Sequence, residues 1–344
     1  MKTVFIVGFW PVRQTRSLAR HALLATRSIA TASPALQAFR PIAAAWPALL
    51  LSCSIAVTAC SATAGGAASP TGGTRVVQVA AAENFWGSIA AQIGGRHAHV
   101  VSIITSPTAD PHIYEPTAAD ARTLTQAQVV IENGIGYDPW VARQLATNSG
   151  QAVLDVGKVV GVPAGGNPHR WYNPADVQAV VGALVADLSR VDPTDRAYFK
   201  AQQARFDHIA LGPYHALISA IHSKYAGTPA GASESIFAML APALGLKLIT
   251  PSSFLKAISE GTDVTAADKL TIDRQIRDHL IKIYVYNSQN VTHDVQIQLA
   301  EVRAEHIPTA TITETLVPPT STYQAWQVRQ LQGIEAALAK ATGR

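Results

Sequence analysis

From residue 76 to the end of the chain, short runs rich in β-branched residues alternate with longer segments in which apolar residues recur at helical spacing. The strand-like runs cover residues 76–81, 100–104, 129–132, 153–156, 246–250 and 281–286. The helical segments cover residues 85–93, 117–126, 140–146, 236–244, 266–279, 291–305 and 322–341. This alternation is typical of βαβ units, so the pattern predicts an α/β fold with parallel sheets.

A further helical pattern separates the two groups of strands. Asp192 and Pro193 form a good helix start, because Asp caps free N–H groups and Pro fits the first helical position. Gly212-Pro213 must kink or break this helix. We therefore expect two α/β lobes, residues 75–191 and 227–344, each a parallel sheet flanked by helices. One long helix over residues 192–226 joins them.

Charge is distributed unevenly along the 344 residues. The chain has 27 Lys+Arg and 23 Asp+Glu, a net charge of +4, yet its first acidic residue is Glu83. Six basic residues precede position 60, so the rest of the chain keeps 21 basic and 23 acidic residues. The chain from position 60 onwards is therefore mildly acidic, and we expect no nucleic-acid partner.

The N-terminus has the layout of an export signal. A basic region ends at Arg40, an apolar region follows, and small residues precede Cys60. The site resembles a bacterial lipobox, so we expect residues 1–59 to be a signal peptide and Cys60 to carry a lipid anchor. Cys53 is a weaker rival, and a transmembrane anchor is the alternative, although about 17 mixed residues are marginal for a span. Residues 60–74 would form a flexible tether outside the cytoplasm.

Two Pro-His loops carry the candidate chemistry. His112 lies in Asp110-Pro111-His112, after the second predicted strand, and His169 lies in Asn167-Pro168-His169, after the fourth. Ligand-bearing residues of parallel α/β sheets tend to lie in loops beyond the carboxyl ends of the strands. Neutral imidazole suits zinc and other first-row metals. A single loop histidine is usually a surface residue, but the pair favours a metal site.

These motifs, with Ser233-Glu234-Ser235, resemble the solute-binding lipoproteins of bacterial zinc/manganese ABC transporters, over about residues 75–340. The resemblance implies that one metal ion binds in the cleft between the lobes, held by His112, His169 and Glu234. It also implies Zn2+ or Mn2+ as the transported ligand, an ABC permease and its ATPase as partners, and a monomer. The alternative for Glu234 is a carboxylate that only stabilises a helix N-terminus.

The fourth ligand position departs from this family. Relatives commonly carry an acidic residue after the strand that matches residues 281–286, where this chain reads Asn287-Ser288-Gln289-Asn290. Asn290, Glu83, Asp294 or a water molecule remain open as the fourth ligand. A site with one carboxylate is expected to bind more weakly or to prefer zinc over the harder manganese.

Two other functions remain as alternatives. The His/His/Glu set with an open position could activate water in a hydrolytic lipoprotein, and some relatives are surface antigens, which suggests an adhesin. The sequence contains no zinc-protease helix, nucleophile elbow or phosphate-binding loop, so we expect no enzyme.

Other histidines are expected to be exposed, at the edge of a strand or along one helix: His97 and His99, and His208, His215 and His222.

Overall fold

The computed structural model describes residues 76–145 and 150–344. The predicted signal peptide, the lipid site at Cys60 and the tether lie outside the described residues. Within those two ranges, no helix combines the length and the apolar character that crossing a bilayer requires.

Two four-stranded parallel sheets form the framework. The first contains β1 (Val77–Glu83), β2 (Ala98–Ile104), β3 (Val129–Glu132) and β4 (Ala152–Asp155), in the spatial order β2-β1-β3-β4. The second contains β5 (Pro229–Ala232), β6 (Lys247–Leu248), β7 (Ile283–Asn287) and β8 (Thr309–Ile312), in the order β6-β5-β7-β8. The strand order reverses beside β1 and beside β5, which opens a crevice at the carboxyl ends of each sheet. The predicted α/β architecture is confirmed.

Helices flank both sheets. In chain order they are α1 (Asn84–Gly94), α2 (Ala118–Gln126), α3 (Pro139–Leu145), α4 (Val156–Val160), α5 (Pro174–Val191), α6 (Arg196–Arg205), α7 (Gly212–Tyr225), α8 (Ile236–Leu240), α9 (Ser252–Ser259), α10 (Ala266–Arg277), α11 (His293–Ala304) and α12 (Tyr323–Thr342). Threonines start α2, α10, α11 and α12, where each hydroxyl accepts a hydrogen bond from the N–H three residues later.

The segment between the sheets is helical but interrupted. A 3₁₀ turn (Pro193–Asp195) leads into α6, a π turn (Phe206–Ala210) follows, and α7 begins at Gly212. The interruption predicted at Gly212-Pro213 is confirmed, because proline suits only the first turn of a helix. Helix α6 packs on α1 and α5 beside the first sheet, while α7 packs on α12. The assignment of residues 192–226 as the boundary segment between lobes stays a prediction.

Strand β1 shows how the layers are formed. Val77, Val79 and Ala81 face the main apolar core, whereas Ala80 and Ala82 face a smaller cluster on the opposite side of the sheet. This two-residue alternation follows from the pleat of a strand, and burial on both faces is typical of parallel sheets.

Within the described residues, the sequence pattern missed five strands and helices: β5, β8, α4, α5 and α9. Strand β5 has the sequence Pro-Ala-Gly-Ala and so lacks the β-branched residues that mark a strand; at Gly231 a Cβ would lie 2.8 Å from the Ile281 Cδ1 atom. Strand β8 is only four residues long. Helix α5 starts with Asn173 as its cap and Pro174 at its first position, the same signal that was assigned only to Asp192-Pro193.

The prediction that His97 is an exposed edge residue is wrong. His97 lies in a 3₁₀ turn before β2 and is 4% exposed. Its Nδ1 atom pairs with the Asp195 carboxylate, and its ring lies 4.2 Å from the ring of Tyr198, measured between centroids. His97 therefore holds the start of α6 against the first sheet. His99, His208 and His222 are exposed as expected, and His215 is half-buried.

Tyr172 connects the first half of the chain to the second. Its fully buried hydroxyl lies 2.6 Å from the Thr313 carbonyl oxygen and 2.8 Å from Gln330 Oε1. We predict that Tyr172→Phe lowers the free energy of unfolding by about 1–2 kcal/mol, because the Thr313 carbonyl oxygen loses the hydrogen bond from the buried hydroxyl. Urea unfolding of the metal-free protein measures this. Tyr286→Phe is the control, since no hydrogen bond of the Tyr286 hydroxyl is found in the described ranges; equal losses would contradict the prediction.

Candidate metal centre

The candidate ligands all lie beyond the carboxyl ends of strands. His112 follows β2, His169 follows β4, and Glu234 follows β5. A fourth side chain that the sequence analysis did not consider, Glu314, follows β8 by two residues. Parallel strands place such loops at one edge of each sheet, so each sheet contributes two candidate side chains.

Both histidines are positioned by the same local turn. The Asp110 carboxylate accepts a hydrogen bond of 2.9 Å from the His112 N–H, and Asn167 Oδ1 accepts one of 3.0 Å from the His169 N–H. A short polar side chain that accepts from the backbone two residues later makes an Asx turn, and the intervening proline fixes its backbone. The two Pro-His motifs are therefore rigid supports for imidazole rings.

His169 is completely buried, and its two ring nitrogens have different surroundings. Nδ1 lies 2.9 Å from Asn167 Oδ1, which can only accept, so we assign the proton to Nδ1. Nε2 is then a lone-pair donor; it lies 3.5 Å from Glu314 Oε1 and has no hydrogen-bond partner within the described residues. Burial lowers the pKa of His169, which keeps the ring neutral and able to bind a metal.

The His112 ring stands edge-on to Tyr137, with 4.8 Å between the ring centroids. Its Nε2 atom is buried and lacks a hydrogen-bond partner among the residues described. His112 and Glu314 both line a cleft of about 740 Å³. An imidazole nitrogen that is buried without a partner is costly, so a ligand in this cleft would stabilise it.

Glu234 lies almost fully buried at the crevice of the second sheet. Its two carboxylate oxygens accept hydrogen bonds of 3.3 and 3.2 Å from the Asn287 Nδ2 atom, at the end of β7. Burial, and then the charge of Glu314, raise the pKa of Glu234 to about 8. Glu234 is therefore mostly protonated at neutral pH in the metal-free protein.

Glu314 is held from several sides. Its carboxylate Oε1 accepts a hydrogen bond of 3.0 Å from the Tyr137 hydroxyl, and its backbone N–H donates to Gln289 Oε1 at 2.7 Å. Burial raises the pKa of Glu314, but its polar neighbours, the two histidines and the Tyr137 hydroxyl, outweigh burial and lower that pKa. Glu314 is therefore the ionised member of the carboxylate pair.

One group of side chains in the described residues has the spacing of a metal site. Donor atoms of His169, Glu234 and Glu314 lie within 4.8 Å of one another. His112 is not part of this group, although it lines a cleft together with one member, Glu314. The assignment of His112, His169 and Glu234 as metal ligands stays a prediction, and Glu314 becomes the strongest candidate for the fourth position.

The other fourth-ligand candidates lie in different surroundings. Asp294 forms an ion pair of 2.6 Å with Lys269. Glu83 is fully buried beside Asp138, and burial followed by the Asp138 charge raises its pKa. Asn290 lines the cleft, but its Nδ2 atom donates to the Ile258 carbonyl oxygen. The signal for Glu314 was present but weak: an alternating run, Thr-Ala-Thr-Ile, two residues upstream.

Comparison with known proteins identifies the family. The model of the ZnuA family, described as zinc-uptake complex component A, periplasmic, matches residues 79–337. A manganese-binding lipoprotein MntA from Halalkalibacterium halodurans is 29% identical over 112 residues, which cover 31% of this chain and 37% of that protein. The MntA of Bacillus subtilis is 27% identical over 161 residues, covering 44% and 51%. The chain thus spans about half the length, or less, of these curated relatives.

Solved structures share the fold. A manganese-bound periplasmic metal-binding protein (S38A mutant) from Candidatus Liberibacter asiaticus has a TM-score of 0.65 and 18% identity, covering 76% of this chain and 98% of that chain. FpvC from Pseudomonas aeruginosa, in complex with Mn2+, has a TM-score of 0.63 and 18% identity, covering 77% and 99%. The family model covers most of the chain, and its fold is the one described above. The chain belongs to the ZnuA family of periplasmic metal-binding solute-binding proteins.

Proposed function

We propose that the protein captures one divalent transition-metal ion outside the cytoplasm, with zinc preferred over manganese. It then delivers the ion to an ABC permease and its ATPase. The convergence of donor atoms from His169, Glu234 and Glu314 within 4.8 Å supports this proposal, together with the buried, unpartnered Nε2 atom of His112, which lines a cleft with Glu314. Membership of the family adds support for the transport role.

The donor set accounts for a doubly charged ion. Two imidazoles contribute neutral nitrogen, and two carboxylates, Glu234 and Glu314, offset both charges of the metal. The sequence alone suggested a single carboxylate, which would bind the metal more weakly. Glu314 supplies a second carboxylate, so weaker binding is no longer expected. Zinc preference rests instead on four nitrogen and oxygen donors, the number zinc takes in tetrahedral sites, and on the general order of metal affinities.

Manganese is the competing ion. Two relatives are named as manganese-binding proteins, and four similar structures hold Mn2+. Manganese prefers more oxygen ligands and a higher coordination number than four, which this donor set does not favour.

The hydrolytic alternative is less well supported than capture and release. Catalytic zinc keeps an open position for water beside three protein ligands, whereas four protein donors close the site. We propose that the ion is cargo, that the protein acts as a monomer, and that a lipid on Cys60 holds it at the membrane.

We predict that substitution of any of the four donors by alanine weakens zinc binding by at least about tenfold, the smallest loss typical of disturbed metal sites. The variants are His112→Ala, His169→Ala, Glu234→Ala and Glu314→Ala, and competition with a chromophoric chelator measures their affinities. Asp294→Ala and His222→Ala are the matched controls, because one is paired with Lys269 and the other is exposed. Unchanged affinity in both histidine variants would contradict the site.

We also predict that zinc raises the melting temperature of the metal-free protein more than manganese does at equal concentration. A ligand stabilises the folded state in proportion to the logarithm of its concentration over its dissociation constant. Differential scanning fluorimetry with each ion, after treatment with a chelator, provides the comparison. Equal shifts would refute the zinc preference while leaving metal capture intact.

A third prediction concerns pH. Folded metal-free protein keeps a proton on Glu234 up to a pKa of about 8, whereas the unfolded chain loses it near the ordinary value of 4.5. As pH rises from 4.5 to about 8, the unfolded chain releases this proton while the folded protein keeps it. The free energy of unfolding therefore falls over this range, and it is unaffected by Glu234 at lower pH. Glu234→Gln should therefore melt at a higher temperature than the parent at pH 8 and at a similar one at pH 5. A difference of equal size at both pH values would contradict this.

A further inference from the structure

The loop after β7, from Asn287 to Asn290, lies beside both acidic side chains of the candidate site. It supports Glu234 and Glu314 through two amide side chains, those of Asn287 and Gln289. The Asn287 amide contacts Glu234, and Gln289 Oε1 accepts hydrogen bonds from the backbone of Glu314 and Thr315, at 2.7 and 2.9 Å. The loop therefore positions one acidic side chain of the candidate site directly and the other through its backbone.

The contact between Asn287 and Glu234 has a particular geometry. The Nδ2 atom is nearly equidistant from the two carboxylate oxygens, at 3.3 Å from Oε1 and 3.2 Å from Oε2. A donor at equal distances lies in front of the carboxylate, between its oxygens. A metal ion held by both oxygens at once would need the same place.

The amide cannot easily move away. Asn287 is 1% exposed and Glu234 is 2% exposed. The Asn287 N–H donates to Ser233 Oγ at 3.1 Å, and Asn287 Oδ1 accepts from the Gln289 N–H at 2.9 Å. Both the backbone and the side chain of Asn287 are thus fixed, and loss of its bonds to a buried carboxylate would be costly.

We infer that Asn287 is a positioning residue that restricts Glu234 to one metal bond and thereby favours zinc over manganese. This inference rests on the proposed function. With Glu234 bound through a single oxygen and Glu314 held through Oε1 by Tyr137, the protein offers about four donors, as tetrahedral zinc requires. A carboxylate that binds through both oxygens would raise the coordination number towards the six that manganese prefers.

The test measures zinc and manganese dissociation constants for the purified protein and for Asn287→Ala. We expect the preference for zinc over manganese to fall about tenfold or more, the range typical of groups that support metal ligands. X-ray absorption of the manganese-loaded variant should show more oxygen neighbours than the manganese-loaded parent. Gln275→Ala is the control, because it removes a buried amide that bonds the Ile249 carbonyl oxygen rather than a carboxylate of the site.

A purely structural role for Asn287 would weaken both metals by the same factor. An unchanged ratio in a folded Asn287→Ala variant therefore overturns the inference. If that variant does not fold, Asn287→Ser provides the same test, because its shorter side chain cannot reach the place in front of both oxygens. If the parent protein binds neither ion, the proposed function fails; if it binds both and only the ratio is unaffected, this inference alone fails.

Discussion

The burial of two carboxylates beside each other is the constraint on which the site depends. Glu234 and Glu314 lie close enough for each charge to disfavour the other, so one holds a proton while the other remains ionised. The Tyr137 hydroxyl donates a hydrogen bond to Glu314, and the Asn287 amide donates to Glu234. A divalent cation between them would satisfy both carboxylates and two imidazoles at once, which is why metal capture is the function that fits this geometry.

The fold creates this arrangement by bringing two similar sheets together at their carboxyl ends. Cross-links between the halves of the chain keep the ligands in register: Asn167 orients His169 and also donates to the Ser235 carbonyl oxygen at 2.8 Å. Tyr137 belongs to the first half and donates to Glu314 in the second. The metal ligands and the contact between the halves are therefore parts of one hydrogen-bond network, in which movement of one half would displace ligands of the other.

Sequence reasoning succeeded where the signal was local. Strand β3 and the Pro-His loops are readable because their residues determine their own backbone, and both loops form Asx turns. Glu314 was missed because its place depends on a four-residue strand pairing beside β7, which only the completed sheet defines. Asn287 was examined as a position without a carboxylate, yet its role depends on Glu234, which lies 53 residues away in the chain. His97 was misjudged because its partner, Asp195, lies 98 residues away in the chain.

The proposed function depends above all on two imidazoles and two carboxylates binding a single ion. Zinc K-edge X-ray absorption on the zinc-loaded protein tests it most directly. The expected spectrum has four nitrogen and oxygen neighbours at about 2.0–2.2 Å, with outer-sphere scattering from two imidazole rings. Loss of Glu314 should leave both rings in place and change only the oxygen contribution. A spectrum without imidazole scattering, or with six oxygen neighbours alone, would contradict the account.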